Sequence, residues 1–321
     1  MKGISFFCAC FLSFISLSQY DGAAGTGGSL AIHKDSNIIV SWANTCVVSR
    51  GWLDISDKGM GFASHGSDDL GTGYVNGVDV VSLGDSGVAT LAFNPSIANG
   101  PGPDFAVFEN SFSDFFLELA FVEVSSNGVD FYRFQATSNY PDTAQIGPFD
   151  AVSDPTKLNN LAGKYRANYG TPFDLSELDT IPELNINQIT HVRIVDVVGS
   201  VNPNYGSQDI HGNYINDPFA TPFASGGFDL DGIAVIHQGP LAVSDHSHDI
   251  LQIYPNPIHK NETLTVNSES KIENIRIYTL DGALVFEGVE NELQSLELKS
   301  GSYLVSLFTS KENRIQKLIV Q

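Results

Sequence analysis

Basic residues are scarce in this sequence: 16 Lys+Arg stand against 37 Asp+Glu, for a formal net charge of −21. Such a surface repels nucleic-acid phosphates and anionic membrane headgroups, so neither is expected as a partner. Cysteine is nearly absent. Of 3 in the chain, Cys8 and Cys10 fall in the leading apolar run, which leaves Cys46 without a pairing partner once that run is removed. No disulfide framework can then hold the fold. Cys46, inside the strand-like run NTCVVS (44–49), reads as a small buried hydrophobe. Long hydrophobic runs are missing too. Ile4–Leu17 is too short to span a bilayer comfortably. With Lys2 before it and Ser16-Leu17-Ser18 after it, the run reads as a secretory signal peptide over residues 1–18. Sustained 3.6-residue periodicity is absent from the rest of the chain, which argues against long helices.

Catalytic signatures are also missing. There is no G-x-S-x-G elbow, no H-E-x-x-H and no Gly-Lys phosphate loop. Glu118 and Glu123 are five apart on one expected strand and so point to opposite faces, a poor arrangement for two carboxylates flanking one bond. His191 lies in a strand-like run and reads as a structural histidine; His211 sits in an acidic loop. A non-enzymatic role is the expectation, with a polysaccharide hydrolase or lyase kept open as an alternative.

What is present is a globular composition, 42% hydrophobic over 321 residues, long enough for two domains. Residues 19–27 form a Gly/Ala-rich stretch expected to be a flexible arm. Residues 28–238 carry short apolar runs at regular spacing, divided by Gly, Pro, Asn and Asp, the pattern of a β-sandwich. Asn127-Gly128 marks a hairpin turn between FLELAFVEVS and VDFYRFQ. Residues 136–188 break the rhythm, with Asp174-Leu-Ser-Glu177 as a capped helical turn and with aromatics (Tyr140, Phe149, Tyr165, Tyr169, Phe173) expected to pin the segment down. Residues 239–250 read as a linker. From 251 onward, short strands punctuated by Pro, Asn-Ser, Asp-Gly and Ser-Gly indicate a second, small β-sandwich. The fold class expected is therefore all-β: a jelly-roll β-sandwich followed by a small Ig-like β-sandwich.

The acidity is concentrated. Residues 21–250 hold 8 Lys+Arg against 28 Asp+Glu. The stretch from Asp196 to Asp231 has five carboxylates, and no Lys or Arg occurs between Arg193 and Lys260. Acids on a loop between two apolar strands must be solvated, protonated or gathered round a cation, and a hard cation with oxygen ligands is the chemical match. A structural Ca²⁺ site is thus expected from Asp209, Asn213 and Asp217, spaced around Gly212, and from Asp229 and Asp231, which strand alternation places on one face. Glu109 and Asn110, ending the run DFAVFEN, are expected to add oxygens if that strand lies adjacent. Tyr205, Tyr214, Phe219 and Phe223 flank the loop and are candidate sugar-stacking residues, with loop packing as the equal alternative.

Two stretches match known families. Tyr254-Pro255-Asn256-Pro257, then IRIYTLDG (275–282) with Asp281 and Gly282, then Ser300-Gly301-Ser302-Tyr303 and a final KLIV resemble the type A C-terminal sorting domain of the Bacteroidetes type IX secretion system. The resemblance covers 251–321. It implies export of the chain by that machinery to the exterior or the outer-membrane surface of a Gram-negative cell. The stretches VVSLG (80–84), NGPGPDFAVFENSF (99–112), FLELAFVEVSSNG (116–128), LAGKYRANYGTPFDLSEL (161–178), THVRIVDVVGS (190–200) and SGGFDLDGIAVI (225–236) resemble a recurrent family of secreted bacterial cell-surface proteins without an established activity. The strand pattern is also similar to galactose-binding-like jelly rolls. A surface glycan or a small nutrient is therefore the expected ligand, with a structural or adhesive role, or nutrient capture for an outer-membrane receptor, as alternatives.

Overall fold

Alternating apolar residues fold the central part of the chain into two antiparallel sheets that share one core. The computed structural model describes residues 20–239, 252–259, 262–268, 271–295, 298–309 and 313–321. The expected signal peptide at 1–18 and nearly all of the expected linker at 239–250 lie outside the described residues. Two compact units divide between Leu241 and Ala242.

The first unit contains strands β1 (Ile32–His33), β2 (Ser41–Trp42), β3 (Thr45–Ser49), β4 (Val81–Ser82), β5 (Val88–Ile97), β6 (Phe105–Glu109), β7 (Ala120–Ser125), β8 (Tyr132–Arg133), β9 (Thr137–Ser138), β10 (Leu158–Asn159), β11 (Tyr169–Phe173), β12 (Ile189–Asp196) and β13 (Asp229–Val235). One sheet has the order β1-β11-β6-β13-β2, with β4 also on β13; the other has the order β3-β5-β12-β7-β8. Successive long strands alternate between the sheets, β5 to β6 to β7 and β11 to β12 to β13, the crossing connectivity of double-sheet folds. Leu91, Val122, Val192 and Ile194 from one sheet meet Phe105, Val107, Leu230 and Ile233 from the other in one buried cluster. Phe173 stacks on Phe105 at 5.3 Å and tilts against Phe134 at 5.0 Å. The all-β expectation thus holds: the helical segments of the described residues are short 3₁₀ turns. None is long and apolar enough to cross a membrane.

Local signals explain several connections. Gly128 adopts φ 75° in the turn between β7 and β8. A side chain there would also strike the His191 ring at 2.8 Å. Asp174 caps the 3₁₀ turn Leu175–Leu178 by accepting from Ser176 N at 2.9 Å. Within 136–188, Tyr165 and Phe173 are buried, whereas Phe149 is 75% exposed. Cys46 is half-buried against the core, and burial pushes its thiol up to about 12, which leaves it unreactive.

The second unit contains β14 (Gln252–Tyr254), β15 (Thr265–Asn267), β16 (Ile272–Thr279), β17 (Leu284–Gly288), β18 (Gly301–Thr309) and β19 (Asn313–Val320). β14 pairs with β15, and the order β17-β16-β18-β19 makes the larger sheet. Ile253, Val266, Ile275, Ile277, Val305, Leu307 and Leu318 form its core. Its motif residues have structural tasks. Asn256 acts as a surrogate peptide group toward β19, donating to Lys317 O at 2.7 Å and accepting from Ile319 N at 3.0 Å. Asp281 and Gly282 (φ 90°) turn the chain between β16 and β17. Tyr303 is buried and donates to Lys299 O at 2.8 Å, while Gly301 opens β18 opposite Val320. Tyr254 remains half exposed beside Pro255 and Pro257.

The expected flexible arm at 19–27 requires correction from Tyr20 onward. Tyr20 N donates to Thr156 O at 2.9 Å, and Ala24 is buried. Asp21 accepts from Leu30 N at 2.9 Å and from the Lys164 ammonium and the Tyr165 hydroxyl. Composition alone concealed this, because one carboxylate opposite a buried lysine anchors an otherwise featureless segment. Removing one partner of a buried pair strands the other charge. Asp21→Ala should therefore destabilise the first unit by about 3–5 kcal/mol, read by denaturant unfolding. A loss below about 1 kcal/mol, within the range of exposed ion pairs, would show that the segment is not anchored this way.

Candidate functional site

Six carboxylates gather where strands of both sheets end. Glu109 is the last residue of β6, Asp196 the last of β12 and Asp229 the first of β13. Asp85 lies in the turn after β4, Glu118 just before β7, and Asp217 in the loop from β12 to β13. Glu109 is 1% exposed, Asp196 3%, Asp85 4%, Asp217 5% and Asp229 8%. Glu118 is half-buried. Pairing of β6 with β13 sets Glu109 opposite Leu230, which brings Glu109 beside Asp229.

Backbone donors hold most of these groups by an oxygen. Glu109 accepts from Ser111 N at 2.8 Å, Asp217 from Leu119 N at 3.1 Å and Asp85 from Ile55 N at 2.8 Å. Asp196 accepts from Phe228 N at 2.7 Å and Ser86 N at 3.0 Å, and Asp229 from the Ser82 hydroxyl. Glu118 makes no hydrogen bond through its carboxylate; what it faces is Asp229, Asp196 and Asp85. Glycines make room for the cluster. A side chain on Gly199 would overlap the Asp217 carboxylate, and one on Gly227 (φ 73°) would meet Asp196 Oδ1 at 2.8 Å.

Among the described residues, none of the six makes a salt bridge. Arg50 and His65 act on Asp229 from a distance, and the Arg50 guanidinium donates to the carbonyls of His65, Ser82 and Gly66. Burial comes first in raising all six groups, and repulsion from neighbouring acids of the cluster adds to it for Glu109, Glu118, Asp196 and Asp217. Asp85 and Asp229 are pushed up to about 6. Glu109, Glu118, Asp196 and Asp217 rise well above the ordinary carboxylate range, through burial and then through neighbouring acids. As the side chains stand, no group of three His, Cys, Asp or Glu among the described residues is arranged to hold a metal ion.

Of the expected calcium ligands, Glu109, Asp217 and Asp229 come together here; the others go elsewhere. Asp209 Oδ1 accepts from His211 N and Asn213 N at 2.9 and 3.0 Å, and its Oδ2 from Ser138 N and Asn213 Nδ2 at 3.2 and 3.3 Å. Asp209 and Asn213 thus close a turn of their own. Asp231 accepts from Gly77 N at 2.8 Å and Asn76 N at 3.3 Å, near Lys34. The β13–β6 ladder slips between Leu230 and Gly232, so strand alternation does not carry Asp229 and Asp231 to one place. Asn110 contributes its backbone N–H toward the Glu109 carboxyl. Sequence reasoning missed Asp85 and Glu118 as cluster members and counted Asp196 in the acidic stretch without placing it among the ligands. Glu123, on β7, pairs instead with Arg133 and Arg193 at 2.7 and 2.5 Å.

The candidate aromatics form two pairs and not one platform. Tyr205 lies 5.9 Å from Phe219, with its hydroxyl accepting from Asn202 Nδ2 at 2.9 Å. Phe223 lies 5.7 Å from Phe149, and Tyr214 bridges to Gln208.

No curated protein and no solved structure matches the chain, so the resemblance drawn for residues 28–238 has no relative behind it. Residues 252–321 match the family model described as a secretion system C-terminal sorting domain, and this tail marks the chain as cargo exported by the type IX secretion system.

Proposed function

We propose that this chain is a non-enzymatic binding protein of the cell surface or exterior, stabilised by Ca²⁺ at the six-carboxylate cluster and directed to a glycan. The observation that carries the cation reading is a set of six acids, five of them buried, with no salt bridge among the described residues; the sixth, Glu118, has no hydrogen-bond donor. Uncompensated buried charge is expensive, and protons or a cation are the ways to remove it. Ca²⁺ takes six to eight oxygens at about 2.3–2.6 Å in flexible geometry. The carboxylates have to draw together to supply them, giving up protons as they do. The glycan reading is supported by acids, amides and paired aromatics on the loops from β12 to β13, the group types that hold hydroxyls and sugar C–H faces.

The pH dependence follows from the direction of the shifts. A carboxylate whose folded value lies above its unfolded value of about 4 contributes stability at low pH and loses it as pH rises through the folded value. For Asp85 and Asp229 the loss is centred near 6. In EGTA the thermal midpoint of the first unit should fall between about pH 5 and pH 7.5. Millimolar Ca²⁺ should restore it at the higher pH, by about 2.7 kcal/mol for a hundredfold excess over Kd. Glu118→Gln should raise the midpoint in EGTA and shrink the calcium response. A midpoint at pH 7.5 that ignores both Ca²⁺ and EGTA would refute the cation site. For the export route, deletion of 252–321 should strand the protein in the periplasm of a type IX-competent host, read by cell fractionation. Surface display of the truncated chain would contradict it.

A further inference from the structure

Among the described residues, the exposed phenylalanines are Phe62, Phe112, Phe115, Phe149 and Phe223, at 44–81% exposure, and all stand on loops of the first unit. These loops share one end of the sandwich. The loop with Phe112 and Phe115 starts after Glu109 and ends at Glu118, and the loop with Phe223 runs between Asp217 and Asp229. The segment leading to Phe62 donates from Ile55 N to Asp85. Backbone bonds set the loops side by side. Ser153 N donates to Phe115 O at 2.8 Å, Phe219 N to Ile146 O at 3.1 Å, and Ser64 N and His65 N both to Ala224 O at 2.9 Å. Phe223 lies 5.7 Å from Phe149, Phe112 stacks on Phe116 at 5.3 Å, and Phe62 stacks on Trp52 at 4.3 Å. Met60 and Val152 add exposed apolar surface to the same loops. Large apolar side chains gathered outside the core at one place mark an interaction surface.

Charge decides what fits it. Residues 51–66, 110–117, 141–154 and 216–228 make up these loops and hold seven Asp, one Lys and no Arg. Asp57, Asp142 and Asp150 are exposed. The one lysine, Lys58, sits over the Trp52 ring at 5.2 Å, so an aromatic face of this surface already takes an ammonium group. A second copy of the chain would bring the same excess of acid, and lipid phosphates are repelled by it. We infer that these loops bind a cationic, amphipathic peptide segment, in which Lys or Arg alternates with apolar side chains. The apolar side chains cover the phenylalanines, and the cations meet ring faces and the exposed aspartates. This partner goes beyond the calcium and glycan readings and requires neither.

The test is fluorescence anisotropy of labelled dodecapeptides with the full secreted chain in EGTA. One peptide alternates Lys with Leu, a second alternates Glu with Leu, and a third is Lys throughout. The Lys–Leu peptide should bind, more tightly than Lys alone, and its affinity should fall as salt is raised. The Glu–Leu peptide should not bind. Phe112→Ser with Phe149→Ser removes two exposed rings, so the thermal midpoint should stay unchanged while the Lys–Leu peptide weakens by about tenfold or more. Val47→Ser with Val129→Ser, exposed positions outside these loops, should leave affinity unchanged. No binding of the Lys–Leu peptide, equal binding of the Glu–Leu peptide, or full affinity in the phenylalanine double variant would overturn the inference. Displacement of the peptide by maltohexaose, or sedimentation of the chain with phosphatidylcholine vesicles that the double variant loses, would also overturn it, by assigning the loops to sugar or to lipid.

Discussion

Burial of like charges is the constraint on which the first unit depends. Three strand ends from opposite sheets, the turn after β4 and two loop positions all deliver carboxylates to one interior region. Several buried acids elsewhere in the same unit have a basic side chain as partner. Asp104 is fully buried and accepts from Gly100 N, Leu175 N and the His237 ring, at 2.7, 2.7 and 2.8 Å. Glu123 has two arginines, and Asp21 has a lysine. Against those solved cases the six-acid region stands out, because its donors are backbone N–H groups and one serine hydroxyl.

That position gives the cluster influence over the whole sandwich. Asp196 fastens Ser86 and Phe228, and Asp217 fastens Leu119, so segments leading to both sheets converge on these side chains. Discharging the acids relieves repulsion between the same segments. A protein exported through the type IX route leaves the periplasm for the exterior. Extracellular calcium modules hold their ion with Kd of about 0.1–1 mM, weak enough to be set by the surroundings.

Much of the fold was legible in the sequence, because period-two alternation and Gly, Asn and Pro punctuation are local signals. The runs 189–198 and 228–236 became β12 and β13, and DFAVFEN became β6, paired with β13 as the calcium reading required. The site was legible only in part. Glu109, Asp217 and Asp229 converge as expected, but Asp231 diverges at a register slip that alternation cannot foresee. Asp209 was lost to Asx-turn chemistry, where a nearby Asn and free N–H groups compete with any ion. The membership of Asp85, Glu118 and Asp196 is tertiary and left no local signal. The anchoring of Asp21 by Lys164 spans 143 residues and has no local trace.

The most direct test of the cation claim is calcium titration by isothermal calorimetry near pH 6, in two buffers of different ionisation enthalpy. Asp85 and Asp229 are poised about there, and the other four acids lie well above their ordinary range. If Ca²⁺ enters the cluster, the observed heat differs between the buffers by an amount that reports release of at least one proton per ion. Saturable binding with the same heat in both buffers would place calcium elsewhere, and absence of binding would leave the cluster neutralised by protons alone.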